Sequence, residues 1–191
     1  MTKNELRREM KRRNLSLTAE ARAERSRQIF SRVEQLPAFA AARTVALFCA
    51  LADEPATQPA IARWLAQGRR LVVPRVEGER MEFFEYVPET LCDGAFGISE
   101  PGAGAALCPP AEIDLVVVPG TAFSPQGARM GRGRGYYDRY LSQREFRGVK
   151  VGVCYAHQLV GELPVEPHDV AMDCVVTECG EAGPSRIAVP R

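Results

Sequence analysis

A glycine-rich segment in the last third of the chain has the residue types of a phosphate-binding loop. Residues 131–138 read GRGRGYYD, with glycines at alternate positions and arginines between them. Glycine lets backbone N–H groups approach a ligand closely, and arginine carries forked donors that suit phosphate oxygens. The segment is neither a Walker A loop nor a dinucleotide-binding fingerprint. We interpret it as a phosphate cradle, while a solvated surface loop and an arginine- and tyrosine-containing RNA-binding loop stay open as alternatives.

Carboxylates close to this segment point to a cation. Asp138 directly follows the cradle and would repel phosphate unless a cation lay between them. Mg²⁺ commonly bridges one or two carboxylates and a polyphosphate. Asp169 and Asp173, in the sequence HDVAMD, are candidates for a second carboxylate. A helix cap for Asp138 and turn formation for the other two are the structural alternatives.

A second group of candidates follows the first predicted strand. Asp53 and Glu54 stand in the sequence ADEP, and in open parallel sheets ligands bind beyond the carboxyl ends of strands. A solvated loop charge explains each of them equally well. The only two histidines are His157 and His168, and we assign neither a catalytic role.

The elements that must position these residues alternate between strands and helices. Capping residues at Thr2 and Thr18 predict the first two helices, and apolar runs predict strands over 44–51, 70–76, 81–87, 113–119, 149–155 and 174–177. Helices are also expected over 57–67 and 136–143. The pattern predicts a layered α/β domain with a largely parallel sheet. We expect one domain over 1–191, with 180–191 as a loose tail.

Composition excludes several classes of protein. The 191 residues carry a net charge of +1, so no global polyanion-binding surface is indicated. No apolar run reaches the ~20 residues of a membrane-spanning helix. The N-terminal region lacks the apolar stretch of a secretory signal, and the six cysteines form no C-x-x-C pair. We therefore expect a cytoplasmic protein with reduced cysteines.

Several motifs together resemble the 5-formyltetrahydrofolate cyclo-ligase family. They are the sequence K-x-x-L-R from Lys3, DLVVVPG over 114–120, G-x-R-x-GRGRGYYD-x-x-L over 127–141, and LPV over 163–165 followed by Asp169. The resemblance runs from residue 3 to about residue 178, with the motifs in the family's order, and the glycine-rich block is its most specific part.

The resemblance implies a fold, a reaction and a set of site residues. The fold would be a single three-layer α/β/α domain. The reaction would convert 5-formyltetrahydrofolate and ATP, with Mg²⁺, to 5,10-methenyltetrahydrofolate, ADP and phosphate. The expected partners are these two substrates, without nucleic acid or membrane, and the expected state is a monomer.

The resemblance also implies roles for individual residues. Cys49 and Glu54 would contact the folate, and Asp138 and Asp169 would hold Mg²⁺. The residues implied to bind ATP are Lys3, Arg7, Arg129, Met130, Gly131, Arg132, Gly133, Arg134, Gly135, Tyr136 and Tyr137, of which Arg132, Arg134 and Tyr137 would also be catalytic. The alternatives are a nucleotide-binding relative with another substrate and an RNA-binding module.

Overall fold

The strands of the protein fall into one large sheet and two small hairpins. A computed structural model describes residues 2–94 and 99–183. The strands in this part are β1 (Thr44–Ala46), β2 (Arg70–Glu77), β3 (Arg80–Glu85), β4 (Leu91–Asp93), β5 (Ser99–Pro101), β6 (Leu107–Cys108), β7 (Leu115–Pro119), β8 (Ala122–Phe123), β9 (Arg129–Met130), β10 (Val149–Val153), β11 (Cys174–Thr177) and β12 (Gly180–Ala182). Eight of them form a sheet in the order β12-β11-β10-β7-β1-β2-β3-β6, and β4–β5 and β8–β9 pair separately.

The centre of the large sheet is parallel, as predicted. Strands β11, β10, β7, β1 and β2 run in one direction. At the two edges, β12 pairs antiparallel with β11, β3 pairs antiparallel with β2, and β6 pairs antiparallel with β3. The apolar strand β7 lies between β10 and β1, and four of its five residues are buried. A continuous apolar run is typical of a strand covered on both faces. The loops that follow the parallel strands therefore meet at one edge of the sheet.

The first two helices begin where the capping residues Thr2 and Thr18 predict, and a short helix that was not predicted follows at Pro37–Ala41. The helices are α1 (Lys3–Leu15), α2 (Ala19–Gln35), α3 (Pro37–Ala41), α4 (Gln58–Ala66) and α5 (Tyr136–Leu141), with single 3-10 turns at Pro88–Thr90, Pro110–Glu112 and Ala156–Gln158. At the start of α1 the Thr2 hydroxyl accepts from the Glu5 N–H, and the Glu5 carboxylate accepts from the Thr2 N–H. This reciprocal arrangement satisfies two donors that a helix start leaves free. No helix in the described ranges is long and apolar enough to cross a bilayer.

Two hydrophobic clusters lie on opposite faces of the sheet. Helices α2, α3 and α4 cover one face, where Phe30 and Trp64 are almost fully buried. Helix α5 covers part of the other face, where Tyr140 packs against Phe83 with ring centroids 4.9 Å apart. Alternate strand residues point to opposite faces, so β7 contributes to both clusters. The arrangement confirms the three-layer α/β/α fold.

Most predicted elements differ from the structure by one or two residues at their ends, and two predictions differ by more. The strand predicted over 44–51 ends at Ala46, because side chains in the following loop take over its backbone donors: the Ala50 N–H donates to the Thr57 hydroxyl and the Leu51 N–H to Glu54. In the predicted tail, residues 180–182 form β12 and pair with β11. Residues 184–191 lie outside the described part of the chain.

Candidate active site

A cleft of about 210 Å³ lies at the carboxyl edge of the parallel strands. One wall is α1, and the others are the loops that follow β1, β7 and β10 together with the glycine-rich loop before α5. The lining residues are Arg7, Arg8, Lys11, Asn14, Asp53, Gly120, Thr121, Arg132 and Gln158. Four of them are cations and one is a carboxylate, so the cleft is electropositive and suits an anionic ligand.

Helix α1 contributes a cationic face to this cleft, and most of that face lies beyond the K-x-x-L-R motif that begins at Lys3. Arg7, Arg8, Lys11 and Asn14 line the cleft together, and positions i, i+4 and i+7 share one face of a helix. Of these residues only Arg7 was predicted, and Arg8, Lys11 and Asn14 were not. The helical spacing of Lys11 and Asn14 from Arg7 is the signal that identifies those two residues.

The glycine-rich loop has the backbone conformation that only glycine adopts easily. Gly133 has φ +100° and Gly135 has φ +66°, and Gly135 is the N-cap of α5. A side chain at such angles is strained. The carbonyl of Gly131 accepts from Arg7 Nε at 3.0 Å, which fastens this loop to α1. Arg134 is exposed, and it makes no hydrogen bond or ion pair with any residue of the described ranges.

Arg132 joins the glycine-rich loop to the loop after β1. Its guanidinium lies 2.8 Å from Asp53 Oδ1 and 2.9 Å from Glu54 Oε1. Glu54 also accepts from the Leu51 N–H through its other oxygen. Burial raises the pKa of Glu54, and the Arg132 charge opposes that rise. Arg132, which was predicted to bind ATP, is thus in direct contact with Glu54, which was predicted to contact the folate.

Asp138 forms a buried ion pair. Its Oδ2 lies 2.8 Å from Arg129 Nη2, and its Oδ1 accepts from the Val170 N–H at 3.1 Å. The side chains of Arg129 and Asp138 are only 4% and 12% exposed. A metal ion at Asp138 would therefore share the carboxylate with these two donors, and the metal assignment of Asp138 stays a prediction.

Asp169, the other predicted metal ligand, belongs to a different group. Ligand atoms of Glu166, His168 and Asp169 all lie within 4.8 Å of one another. Glu166 also pairs with Lys3, whose Nζ is 2.8 Å from Oε1. Carboxylate oxygens are the donors that Mg²⁺ prefers, so the chemistry of Asp169 and Glu166 fits that ion. Asp173 instead accepts from the backbone and side chain of Lys150.

The remaining predicted residues divide between ligand-facing and structural positions. The Tyr137 hydroxyl is buried and has no hydrogen-bond partner within the described ranges. Burial, followed by the charge of Glu54, raises its pKa. The Tyr136 hydroxyl donates to the Gly78 carbonyl, and Met130 is buried in the β8–β9 hairpin. Because buried hydroxyls are normally bonded, Tyr137 is the one of these three whose contacts leave a place for a ligand.

Cys49 is also buried, beside the carboxyl end of β1. Burial raises the pKa of its thiol to about 11. The thiolate is the nucleophilic form of cysteine. The thiol of Cys49 is therefore uncharged at neutral pH, which is compatible with the predicted folate contact.

A parallel α/β sheet with a cationic cleft at its carboxyl edge defines a class of protein that handles anionic substrates there. The family model described as the 5-formyltetrahydrofolate cyclo-ligase family matches residues 1–178. The chain belongs to this family and is a ligase, which confirms the resemblance inferred from the motifs.

Relatives and solved structures agree with the family assignment. The chain is 32% identical over 174 residues to 5-formyltetrahydrofolate cyclo-ligase from Escherichia coli K12, covering 88% of this chain and 96% of the relative. It is 28% identical over 193 residues to the Mus musculus enzyme of the same name, covering 92% and 93%. The NMR structure of Aquifex aeolicus 5,10-methenyltetrahydrofolate synthetase superimposes with a TM-score of 0.86 at 34% identity, covering 100% of this chain and 97% of that one. A 5,10-methenyltetrahydrofolate synthetase from Mycoplasma pneumoniae shares the fold, with a TM-score of 0.76 at 23% identity and coverage of 93% and 99%.

Proposed function

We propose that the protein uses ATP and Mg²⁺ to convert 5-formyltetrahydrofolate to 5,10-methenyltetrahydrofolate, with release of ADP and phosphate. The observation that carries the proposal is the contact between Arg132 and Glu54 at 2.9 Å. Arg132 belongs to the loop proposed to hold the phosphates, and Glu54 to the loop proposed to hold the folate. The two substrates would therefore meet at this contact, as direct transfer between them requires.

The charges around the cleft support a polyphosphate as one substrate. Arg7, Arg8 and Lys11 line it together with Arg132. The carboxylate that shares the lining, Asp53, is already paired with Arg132. The side chains of Arg8 and Lys11 make no hydrogen bond or ion pair within residues 2–94 and 99–183. Guanidinium groups bind phosphate oxygens through two parallel donors, so this wall suits a triphosphate.

The proposed reaction needs positioning and charge stabilisation more than a nucleophilic side chain. The formyl oxygen attacks the γ-phosphorus and the bond to ADP breaks. N10 then attacks the formyl carbon, the carbon–oxygen bond breaks with loss of phosphate, and N10 gives up its proton. Charge stays mainly on phosphoryl oxygens, which Arg132 and Arg134 would stabilise. The unpaired Tyr137 hydroxyl would donate a hydrogen bond to the folate beside Glu54.

A magnesium ion would neutralise charge on the phosphates and hold them in line. Asp169, with Glu166 beside it, offers the oxygen donors for such an ion. Asp138 would join them while its carboxylate also accepts from Arg129 and the Val170 N–H. A monomeric, cytoplasmic protein with a single domain over 1–191 is part of the same proposal.

A spectrophotometric assay tests this function. Purified protein is mixed with 5-formyltetrahydrofolate, ATP and Mg²⁺, and the near-ultraviolet band of the methenyl product is followed, with ATP omitted as a control. We expect the band to grow only with ATP.

In Arg134→Ala, loss of one charge-assisted contact should raise the KM for ATP about tenfold or more, with the KM for folate unchanged.

Arg144→Ala is the matched control, because Arg144 is another exposed arginine without a hydrogen bond or ion pair in the described ranges. It should behave as the wild type. Absence of the band in a protein that binds ATP would point to another substrate. Equal KM values for ATP in the Arg134 and Arg144 variants would remove Arg134 from the phosphate site.

The RNA-binding alternative has less support from the side chains of the loop. The Tyr136 hydroxyl is bonded to Gly78, the Tyr137 hydroxyl is buried, and Arg132 is paired with two carboxylates. RNA binding by such loops needs exposed aromatic faces and free cations. Polynucleotide binding that weakens steeply with salt would favour the alternative.

A further inference from the structure

A buried amide on α1 connects three elements around the cleft. The Asn14 residue is 3% exposed, and its Nδ2 donates to the Asp53 carbonyl at 2.9 Å. Its Oδ1 lies 2.6 Å from His157 Nε2. Because Nδ2 faces a carbonyl, Oδ1 is the acceptor, so His157 must carry a hydrogen on Nε2. The bond survives protonation of His157, since both ring nitrogens then carry hydrogens.

This amide holds the loop that carries Glu54. Among the hydrogen bonds of the described residues, Asn14 alone joins α1 to the loop over 47–57. From the segment after β10, the Tyr155 hydroxyl donates to the Glu54 carbonyl at 3.2 Å. From α2, Arg22 and Ser26 bond to the Ala52 carbonyl and the Ala56 N–H. The backbone of Asp53 thus depends on α1 for its position.

Helix α1 also carries three of the four cations that line the cleft. Arg7 and Lys11 lie on the face of α1 that also presents Asn14. A buried amide is costly unless its hydrogen bonds are made, and here both partners come from other elements. The contact therefore fixes the distance between the cations of α1 and the carboxylates of the loop.

We propose that Asn14 and His157 are positioning residues that lock α1 to the Asp53–Glu54 loop, so that the two substrates are held in register for transfer. This inference rests on the proposed function. His157 acts through Asn14: its ring stacks on Tyr155 at 5.9 Å between centroids, which orients Nε2 toward the amide.

Kinetics of Asn14→Leu test the proposal. We expect the KM for 5-formyltetrahydrofolate to rise about tenfold while kcat falls by less than about threefold. A merely structural residue would reduce the amount of active protein and leave KM unchanged. His157→Leu should give the same change, the double variant should be no worse than either single one, and His157→Gln, which retains a donor, should restore most of the loss.

Asp114→Ala is the matched control. Its carboxylate accepts from the Arg43 and Thr44 N–H groups, both at 2.8 Å, at the amino end of the strands. This variant also loses two hydrogen bonds, but away from the cleft, so its KM values should match the wild type. Amide hydrogen exchange over residues 50–57 should be faster in Asn14→Leu and unchanged in Asp114→Ala.

The outcomes separate this inference from the function on which it rests. A wild-type protein without ATP-dependent turnover overturns the proposed function, while faster exchange in the loop still supports the lock. An active wild type with unchanged KM and unchanged exchange in Asn14→Leu overturns the lock alone. If Asn14→Leu does not fold, the same measurements on His157→Leu decide the question, because this variant removes the hydrogen-bond partner of Asn14 Oδ1 and leaves the amide in place.

Discussion

The ion pair between Arg129 and Asp138 makes a prediction that separates a structural role from a metal-binding one. We expect Asp138→Ala to lower the free energy of unfolding by about 3–5 kcal/mol, because it leaves a buried guanidinium without its counterion. The Arg129 side chain is 4% exposed, so water cannot easily replace the lost carboxylate.

The size of the effect follows from the geometry of the pair. An N–O distance of 2.8 Å belongs to a hydrogen-bonded ion pair. With charge centres about 4 Å apart and an effective dielectric constant of about 20, the attraction is about 4 kcal/mol. Loss of the acceptor for the Val170 N–H adds about 1–3 kcal/mol if that donor stays buried. Partial relaxation of the Arg129 side chain toward solvent recovers some of this energy, so the expected loss of unfolding free energy is about 3–5 kcal/mol.

Urea unfolding followed by far-ultraviolet circular dichroism, in buffer with a chelator, measures this change. Asp169→Ala is the comparison, because Asp169 is the other predicted metal ligand but accepts only a backbone N–H from Glu166. It should lose about 1 kcal/mol or less. If Asp138→Ala also lost only about 1 kcal/mol or less, the ion-pair reasoning would be refuted. The double variant Arg129→Met, Asp138→Leu should recover most of the loss, since it leaves no unpaired charge.

Two further predictions concern the loops of the cleft. Gly133→Ala forces alanine to φ +100° at a cost of about 1–2 kcal/mol and should raise the KM for ATP, whereas Gly68→Ala, with φ +77° after α4, should show similar strain in urea unfolding without a change in KM. Glu54→Gln should abolish turnover, and it should raise the free energy of unfolding at pH 7. Burial raises the pKa of Glu54, so the folded state binds this proton more tightly than the unfolded state and the carboxylate costs stability at high pH. The gain in Glu54→Gln should therefore disappear as the pH falls through the ordinary pKa of 4.5, and a gain that is independent of pH in urea titrations would contradict this cause.

The sequence predicts those parts of the fold that depend on neighbouring residues. The capping box of Thr2 and Glu5 places the start of α1, and the apolar run of β7 predicts a strand buried on both faces. Both signals are local, since a capping box spans four residues and a strand depends on its own side chains. The end of β1 is different, because it depends on Thr57 and Glu54 folding back to bond its backbone.

Most of the site geometry joins residues that are far apart in the chain. Arg132 contacts Glu54 across 78 residues, and Asn14 contacts His157 across 143. Residue types predict that Arg132 binds an anion, but not that carboxylates of its own chain occupy it. His157 received no role from the sequence, since a single histidine shows neither its partner nor its burial.

The cleft and the segments beside it carry two kinds of cation, and the difference between them orders the proposed binding of ATP. Lys3 and Arg132 are paired with carboxylates of the protein, whereas Arg8, Lys11 and Arg134 are exposed and make no ion pair in the described ranges. In the proposed reaction the unpaired cations would attract a triphosphate first. The paired cations would then exchange a carboxylate for a phosphate oxygen, so little net binding energy would be gained there, and Glu54 would be released next to the folate. Because that release would need the triphosphate, the carboxylate would become available to the second substrate only when the first is in place.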